Sequence, residues 1–108
     1  MVQAAFVRVR EDKVERLRAW AEELRARTGE VEEAFAQQST RQERAFLLHG
    51  LDAPVMVLLY DFDDPDRAHE AFVSSTLAID QDYKRAMDEV MAEPVEAELL
   101  YEVGRRPG

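Results

Sequence analysis

Cysteine is absent from this 108-residue sequence, and glycine and histidine are scarce, with four and two copies. Without cysteine the chain has no disulfide, no thiolate nucleophile and no thiolate metal ligand. The glycines are not clustered, which excludes the glycine-rich loops that bind phosphates or dinucleotides. Any histidine-based chemistry must use His49 or His69. The sequence therefore lacks the motifs that name a reaction directly.

Positive charge and long apolar runs are also scarce. Lysine and arginine number 14 against 23 acidic residues, which gives a formal net charge of -9. Such a chain repels polyanions, so we expect no nucleic acid and no membrane surface as a partner. No stretch approaches the roughly 18 apolar residues of a membrane-spanning helix, and the N-terminus lacks the apolar core of a signal peptide. We expect a cytoplasmic protein.

Length and composition predict one domain. With 46% hydrophobic residues, the chain is typical of a globular domain and long enough to bury one modest core. We predict a single domain over residues 1–103. The last five residues, 104–108, have no packing signal, and we expect them to form a flexible tail.

Four segments are typical of strands, because apolar and polar residues alternate in them or because they are apolar throughout. They are Gln3–Arg10, Arg44–His49, Pro54–Phe62 and Val95–Val103. The third is apolar from Val55 to Tyr60, so both of its faces need apolar cover. The helices of so small a domain cover only one side of the sheet. We therefore predict that a second copy of the chain covers the other side.

Three helices are expected between these strands. The first begins with Asp12 as its cap, and near Gly29 it either breaks or projects from the domain. The second begins at Asp64 and has Pro65 in its first turn. The third begins around Asp80. The connection between the third and fourth strands is therefore split into two helices.

The order βαββαβ predicts an α+β fold of the ferredoxin-like type, in which helices cover one face of a four-stranded antiparallel sheet. Right-handed crossovers place the first and third strands at its centre. This order, the split crossover Ser74–Asp80 and the closing segment Glu98–Val103 together resemble an uncharacterised family within the dimeric α/β-barrel superfamily. The resemblance covers Ala4–Val103. It implies a barrel formed by two subunits whose open sheet faces meet.

Relatives of this architecture include cofactor-free monooxygenases, haem-degrading enzymes, small isomerase-like enzymes and ligand binders. The haem-degrading relatives use an asparagine, a tryptophan and a histidine together, and this chain contains no asparagine. We therefore expect no cofactor. Fold analogy alone does not choose among the remaining activities.

The sequence offers five candidates for ligand binding, Arg8, Trp20, Tyr60, His69 and Tyr83. Tyr60 and Tyr83 combine apolar rings with polar hydroxyls, which suits an aromatic ligand in a cavity between sheet and helices. His69 and Tyr83 are the candidates for catalytic proton transfer. The alternatives are a boundary histidine partly in water, core tyrosines, and a tryptophan that anchors the core or an interface.

Charged residues give two weaker signals. Arg8 and Arg10 share one face of the first strand, and we predict an ion pair with Glu96, Glu98 or Glu102. In the alternative, Arg8 holds a ligand carboxylate through a bidentate contact.

The acidic residues Asp61, Asp63, Asp64 and Asp66 suggest a cation site, but their spacing does not match a calcium loop. Negative charge at a helix start explains them, and we predict no metal site.

Three hypotheses for function follow. The first is a homodimer that binds a small apolar or aromatic molecule between the sheet and the helices. The second is a cofactor-independent enzyme of the monooxygenase or isomerase type. The third is an assembly module without a ligand. A cavity of molecular size would separate the first two hypotheses from the third, and an exposed His69 would count against the second.

Overall fold

A four-stranded antiparallel sheet forms one layer of the fold, in the order β2-β3-β1-β4. The computed structural model describes residues 1–105. The strands are β1 (Val2–Val9), β2 (Thr40–Leu48), β3 (Val55–Phe62) and β4 (Met91–Pro94). The first and third strands lie at the centre of the sheet, as the crossover rule predicts. β2 and β3 form the predicted hairpin, and Gly50 takes a left-handed φ of 84° in its turn.

The second layer consists of helices, two in each of the long connections. A 3-10 turn (Glu11–Lys13) leads into α1 (Val14–Ala26) and α2 (Thr28–Gln37), and α3 (Pro65–Ser74) and α4 (Ala78–Val90) follow β3. Within residues 1–105, none of these helices has the length and apolar character needed to cross a membrane.

The predicted break of the first helix near Gly29 is confirmed, and its predicted cap needs correction. The first helix breaks at Arg27, two residues before Gly29, because Arg27 leaves the helical region with φ -102° and ψ 43°. Its guanidinium bonds to Glu30 at 2.7 Å and to Asp82 of α4 at 2.8 Å, which ties the break to the neighbouring helix. The predicted cap Asp12 lies instead inside the 3-10 turn, and no side chain caps α1.

The core lies between the helices and one face of the sheet. Trp20 of α1, Met56 of β3 and Val90 of α4 are each at most 3% exposed. The opposite sheet surface, which we call the open face, faces away from the helices because side chains alternate along a strand. Its apolar residues include Phe6, Phe46, Leu48, Val55, Val57 and Leu59, which the strand register places on neighbouring positions.

The predicted fourth strand, Val95–Val103, is wrong in its position. β4 covers Met91–Pro94 directly after α4, and only the N–H of Val95 continues the pairing, with the carbonyl of Phe6 at 2.7 Å. The following residues form no strand, and the side chains of Leu99 and Val103 are 77% and 81% exposed. The alternating pattern is present, but no strand among residues 1–105 pairs with it. The predicted tail lies partly outside the described residues, which end at 105.

The start of α3 is capped as predicted, and its cap provides a test of local stability. The carboxylate of Asp64 accepts a hydrogen bond from the N–H of Arg67 at 3.2 Å, and Pro65 occupies the first turn. We expect Asp64→Ala to lower the free energy of unfolding by about 1 kcal/mol in urea denaturation, because an unpaired N–H remains. Asp66→Ala removes only a favourable charge and should cost roughly 0.3 kcal/mol. Equal losses in the two variants would contradict the capping role.

Candidate functional site

A cavity of about 300 Å³ lies between the sheet and the helices. Most of its wall is apolar, and five aromatic rings contribute to it, those of Phe35, Tyr60, Phe62, Phe72 and Tyr83. Its polar side chains include Gln38, Thr40, Glu43, His69 and Asp80. All four of α1, α2, α3 and α4 supply lining residues, together with the helix-facing sides of the strands. Ligand sites have this composition, with a few polar groups in an apolar wall.

Tyr83 of α4 is the centre of the aromatic cluster. Its ring meets the rings of Phe72 and Trp20 edge to face, with centroids 5.5 Å and 5.9 Å away. Tyr60 of β3 stacks on Phe62 with centroids 5.1 Å apart. The hydroxyls of Tyr60 and Tyr83 lie 3.3 Å from each other. Packing thus fixes both rings and brings two hydroxyl groups together at the cavity wall.

Glu43 of β2 reaches the same point from the sheet. The Tyr83 hydroxyl donates to Oε1 of Glu43 over a long distance of 3.5 Å. Loss of water raises the pKa of Glu43 to about 7, and the nearby charge of Asp80 adds to this effect. The carboxyl therefore gains and loses its proton near neutral pH. This is the range in which a side chain can exchange a proton with a bound molecule.

The two tyrosines remain protonated beside Glu43. Burial raises the pKa of Tyr60 to about 12, and burial likewise raises the pKa of Tyr83 well above its ordinary value. The carboxyl of Glu43 further disfavours a negative charge on either phenol. Both hydroxyls can therefore donate or accept a hydrogen bond at neutral pH, but neither can act as a base.

Asp80 is the second acidic residue of the cavity, and hydrogen bonds to one of its oxygens connect three segments of the chain. Its Oδ2 accepts hydrogen bonds from Gln38 Nε2 at 2.6 Å and from Ser75 Oγ at 2.5 Å. It is the third residue of α4, where the helix N-terminus favours negative charge. Asp80 thus joins the end of α2 and the α3–α4 connection to the start of α4. This network holds one wall of the cavity in place.

Of the five sequence candidates, Tyr60, His69 and Tyr83 line this cavity, and Arg8 and Trp20 do not. His69 lies on α3 and is exposed, so its ring is at the edge of the cavity. Trp20 is 3% exposed and packs against Tyr83 from the core. Its indole N–H has no hydrogen-bond partner among residues 1–105.

Arg8 of β1 and Arg10, which directly follows β1, have partners other than those predicted. Arg8 Nε lies 3.3 Å from the carboxylate of Glu93, and Arg10 Nε donates to the carbonyl of Met91 at 3.1 Å. The predicted partners Glu96, Glu98 and Glu102 make no such contact in the described chain, because the sheet has already ended at Pro94. Arg8 extends from β1 on the side away from the cavity, since it alternates with the helix-facing Val9.

Three of the four acidic residues around the start of α3 have a partner nearby. Asp61 pairs with the N-terminal amine at 3.1 Å, Asp63 with Arg41 at 2.6 Å, and Asp64 caps α3. No group of three or more histidine, aspartate or glutamate side chains in residues 1–105 is arranged to hold a metal ion.

Sequence analysis did not identify Glu43, Gln38 or Asp80 as site residues. The signal for Glu43 was available, because it is in phase with Ala45 and Leu47 on the helix-facing side of β2. The predicted strand began at Arg44, which left Glu43 in a connection. β2 in fact begins at Thr40. Asp80 carried no signal beyond that of a helix start.

Comparison with known proteins adds a family without an assigned activity. Residues 2–106 match DUF6176, described as a family of unknown function. No curated protein matches the chain, and no solved structure does.

Proposed function

We propose that this chain, which belongs to the DUF6176 family of unknown function, binds a small organic molecule with an aromatic or apolar body. The observation that carries the proposal is the cavity of about 300 Å³ between the sheet and the helices. Its wall combines five aromatic rings with a few polar groups that converge at one point, as ligand pockets do. An assembly module would have no need of such a space, because filling it with side chains would make the core more stable.

A variant that fills the cavity tests this proposal. Ala34 of α2 is 2% exposed and lines the cavity, whereas Ala36 on the same helix is exposed. The neutral probe is 2-phenylethanol, and its binding is measured by titration calorimetry and saturation-transfer NMR. We expect Ala34→Leu to weaken its binding about tenfold, which corresponds to a loss of roughly 1.4 kcal/mol of binding free energy. Ala36→Leu should bind as the wild type does. Equal binding by all three proteins would contradict the cavity as the binding site.

The proposed assembly is a homodimer in which the open faces of two copies meet. Phe46 and Leu48 of the edge strand β2 are 48% and 39% exposed. Phe46 lies opposite Val57, which lies opposite Phe6, and these three residues form an apolar row; Leu48 lies opposite Val55. Apolar patches of this kind on one face of a sheet mark contact surfaces. A second copy of the same chain fits, because a two-fold axis brings identical apolar patches together.

The C-terminal segment Val95–Val103 supports the same assembly. It keeps the alternation of a strand, yet Leu99, Leu100 and Tyr101 are 77%, 79% and 76% exposed. One chain thus has two apolar surfaces that residues 1–105 leave uncovered. In the proposed dimer the segment of one copy pairs as a strand with the sheet of the other copy, and its apolar side chains pack there. This arrangement corresponds to a ferredoxin-like dimeric α/β barrel.

A further inference from the structure

We propose that the molecule bound in this cavity is an organic cation, a protonated primary amine with an aromatic or aliphatic body, and that Glu43 is its counter-ion. The inference rests on the proposed function, since it specifies the ligand of the same cavity. It follows from three features of the described wall: its charge, the free acceptor capacity of Glu43, and the spacing of three oxygen atoms.

The charge of the wall disfavours an anion. Glu43 and Asp80 line the cavity, and among the described lining residues there is no lysine or arginine. Of the basic side chains on neighbouring helices, Lys84 donates to the carbonyl of Val73 at 3.2 Å and lies over the ring of Phe72. Arg27 is bound by Glu30 and Asp82. A carboxylate or phosphate ligand would therefore enter a space with two acidic groups and with no lysine or arginine in its described wall.

The two acidic side chains differ in how many hydrogen bonds their carboxylates receive. Asp80 receives two short hydrogen bonds and lies at a helix N-terminus, so its charge is already stabilised. Glu43 receives only the long contact from Tyr83 at 3.5 Å. A carboxylate has about four acceptor positions, and leaving them empty in a poorly hydrated site is costly. Glu43 is thus the acid that a ligand would complete.

The oxygen atoms near Glu43 match an ammonium group. An ammonium has three N–H donors and no acceptor. The hydroxyl of Tyr83 lies 3.5 Å from Glu43 Oε1 and 3.3 Å from the hydroxyl of Tyr60, so consecutive contacts link three oxygen atoms at the cavity wall. One ammonium can donate to all three. The surrounding aromatic rings add a favourable interaction with a cation and contact the ligand body.

A set of three probes with related skeletons tests this inference. We expect 2-phenylethylamine to bind the wild type at least tenfold more tightly than 2-phenylethanol in titration calorimetry at pH 7, and 3-phenylpropionate to bind most weakly. Glu43→Gln should abolish the preference, so that the amine binds the variant no more tightly than the alcohol does. The matched control is Glu33→Gln, an exposed glutamate of α2 that does not line the cavity; it should keep the tenfold preference.

Proton release provides a second readout. The groups that face Glu43 are Tyr60 on β3, with Tyr83 and Asp80 on α4, and His69 lies on the cavity edge. Because the pKa of Glu43 is about 7, amine binding at pH 7 should expel part of a proton, and calorimetry in buffers of different ionisation enthalpy measures it. Glu43→Gln keeps the other groups and should release none.

The outcomes separate the two proposals. If alcohol and amine bind equally and Ala34→Leu weakens both, the cavity binds ligands but the cation inference is wrong. If the amine preference persists in Glu43→Gln, the counter-ion is a different group and the inference also fails. If no probe binds the wild type, the cavity proposal and the cation inference are both contradicted.

Discussion

Phe46→Glu is expected to convert a dimer into a monomer at micromolar concentration. Phe46 lies on the edge strand β2 in the apolar row of the open face and is 48% exposed in the single chain. A glutamate there remains hydrated in a monomer, whereas in the proposed dimer it would be buried without a partner. Burying an unpaired charge costs several kcal/mol. With about 4 kcal/mol lost, the dissociation constant rises roughly a thousandfold.

The control is Val73→Glu, which places the same charge on α3. Val73 is 61% exposed and lies on a helix, away from the open face. Light scattering and sedimentation are measured at about 10 to 50 μM protein, because the dimer fraction depends on concentration. The wild type and Val73→Glu should be dimers, and Phe46→Glu should be a monomer. A wild type that sediments as a monomer, or a Phe46→Glu protein that stays dimeric, would refute the open-face assembly.

The sheet layer could be predicted from sequence because its signals are local. Alternation and turn residues identified three of the strands to within a few residues, and Pro65 after Asp64 identified the start of α3. The crossover rule then placed β1 and β3 at the centre. The predicted position of β4 was wrong because a strand must pair with a neighbouring strand. An alternating pattern of residues does not show whether such a neighbour is present. Residues 91–94 pair with β1, and the segment with the better pattern does not.

The candidate site was only partly predictable, because it depends on contacts between distant segments. Tyr60 and Tyr83 were suggested by their amphipathic side chains, and both line the cavity. Glu43 and Asp80 belong to residue types that are usually solvated. Alternation along β2 could have placed Glu43 on the helix-facing side, but its contact with Tyr83 of α4 follows only from tertiary packing. The bond between Arg27, at the helix break, and Asp82 likewise joins residues that are 55 positions apart in sequence.

The cavity and the open face lie on opposite sides of the same sheet, and β2 contributes to both. Glu43 extends toward the helices, whereas Phe46 belongs to the open face. Substitutions on one side can therefore be tested without altering the other directly. A loss of dimer that left the 2-phenylethylamine affinity unchanged would show that each subunit has a complete ligand site. This separation allows the two proposals to be judged independently.

The second large effect is a stability that depends on pH through Glu43. In the folded chain its pKa is raised from 4.5 to about 7, chiefly by burial. Between these values the folded protein holds a proton that the unfolded chain has released, so stability falls as pH rises through this window. Glu43→Gln cannot ionise. We therefore expect the variant to match the wild type near pH 4.5 and to be more stable above pH 7.

Each unit of raised pKa corresponds to about 1.4 kcal/mol, and partial hydration of the side chain lowers the sum, so we expect a gain of about 2 kcal/mol at pH 8. Urea denaturation at about pH 4.5, 6 and 8, at a single protein concentration, measures this gain in the free energy of unfolding. These pH values cover the range between the unfolded and folded pKa of Glu43. Both proteins keep His49 and His69, so any contribution of these two residues cancels in the difference. Glu33→Gln should follow the wild type at every pH. If the stability of Glu43→Gln relative to wild type does not change with pH, this carboxyl is as well hydrated in the folded chain as in the unfolded one. The cavity would then lack the poorly hydrated acid on which its preference for a cation depends.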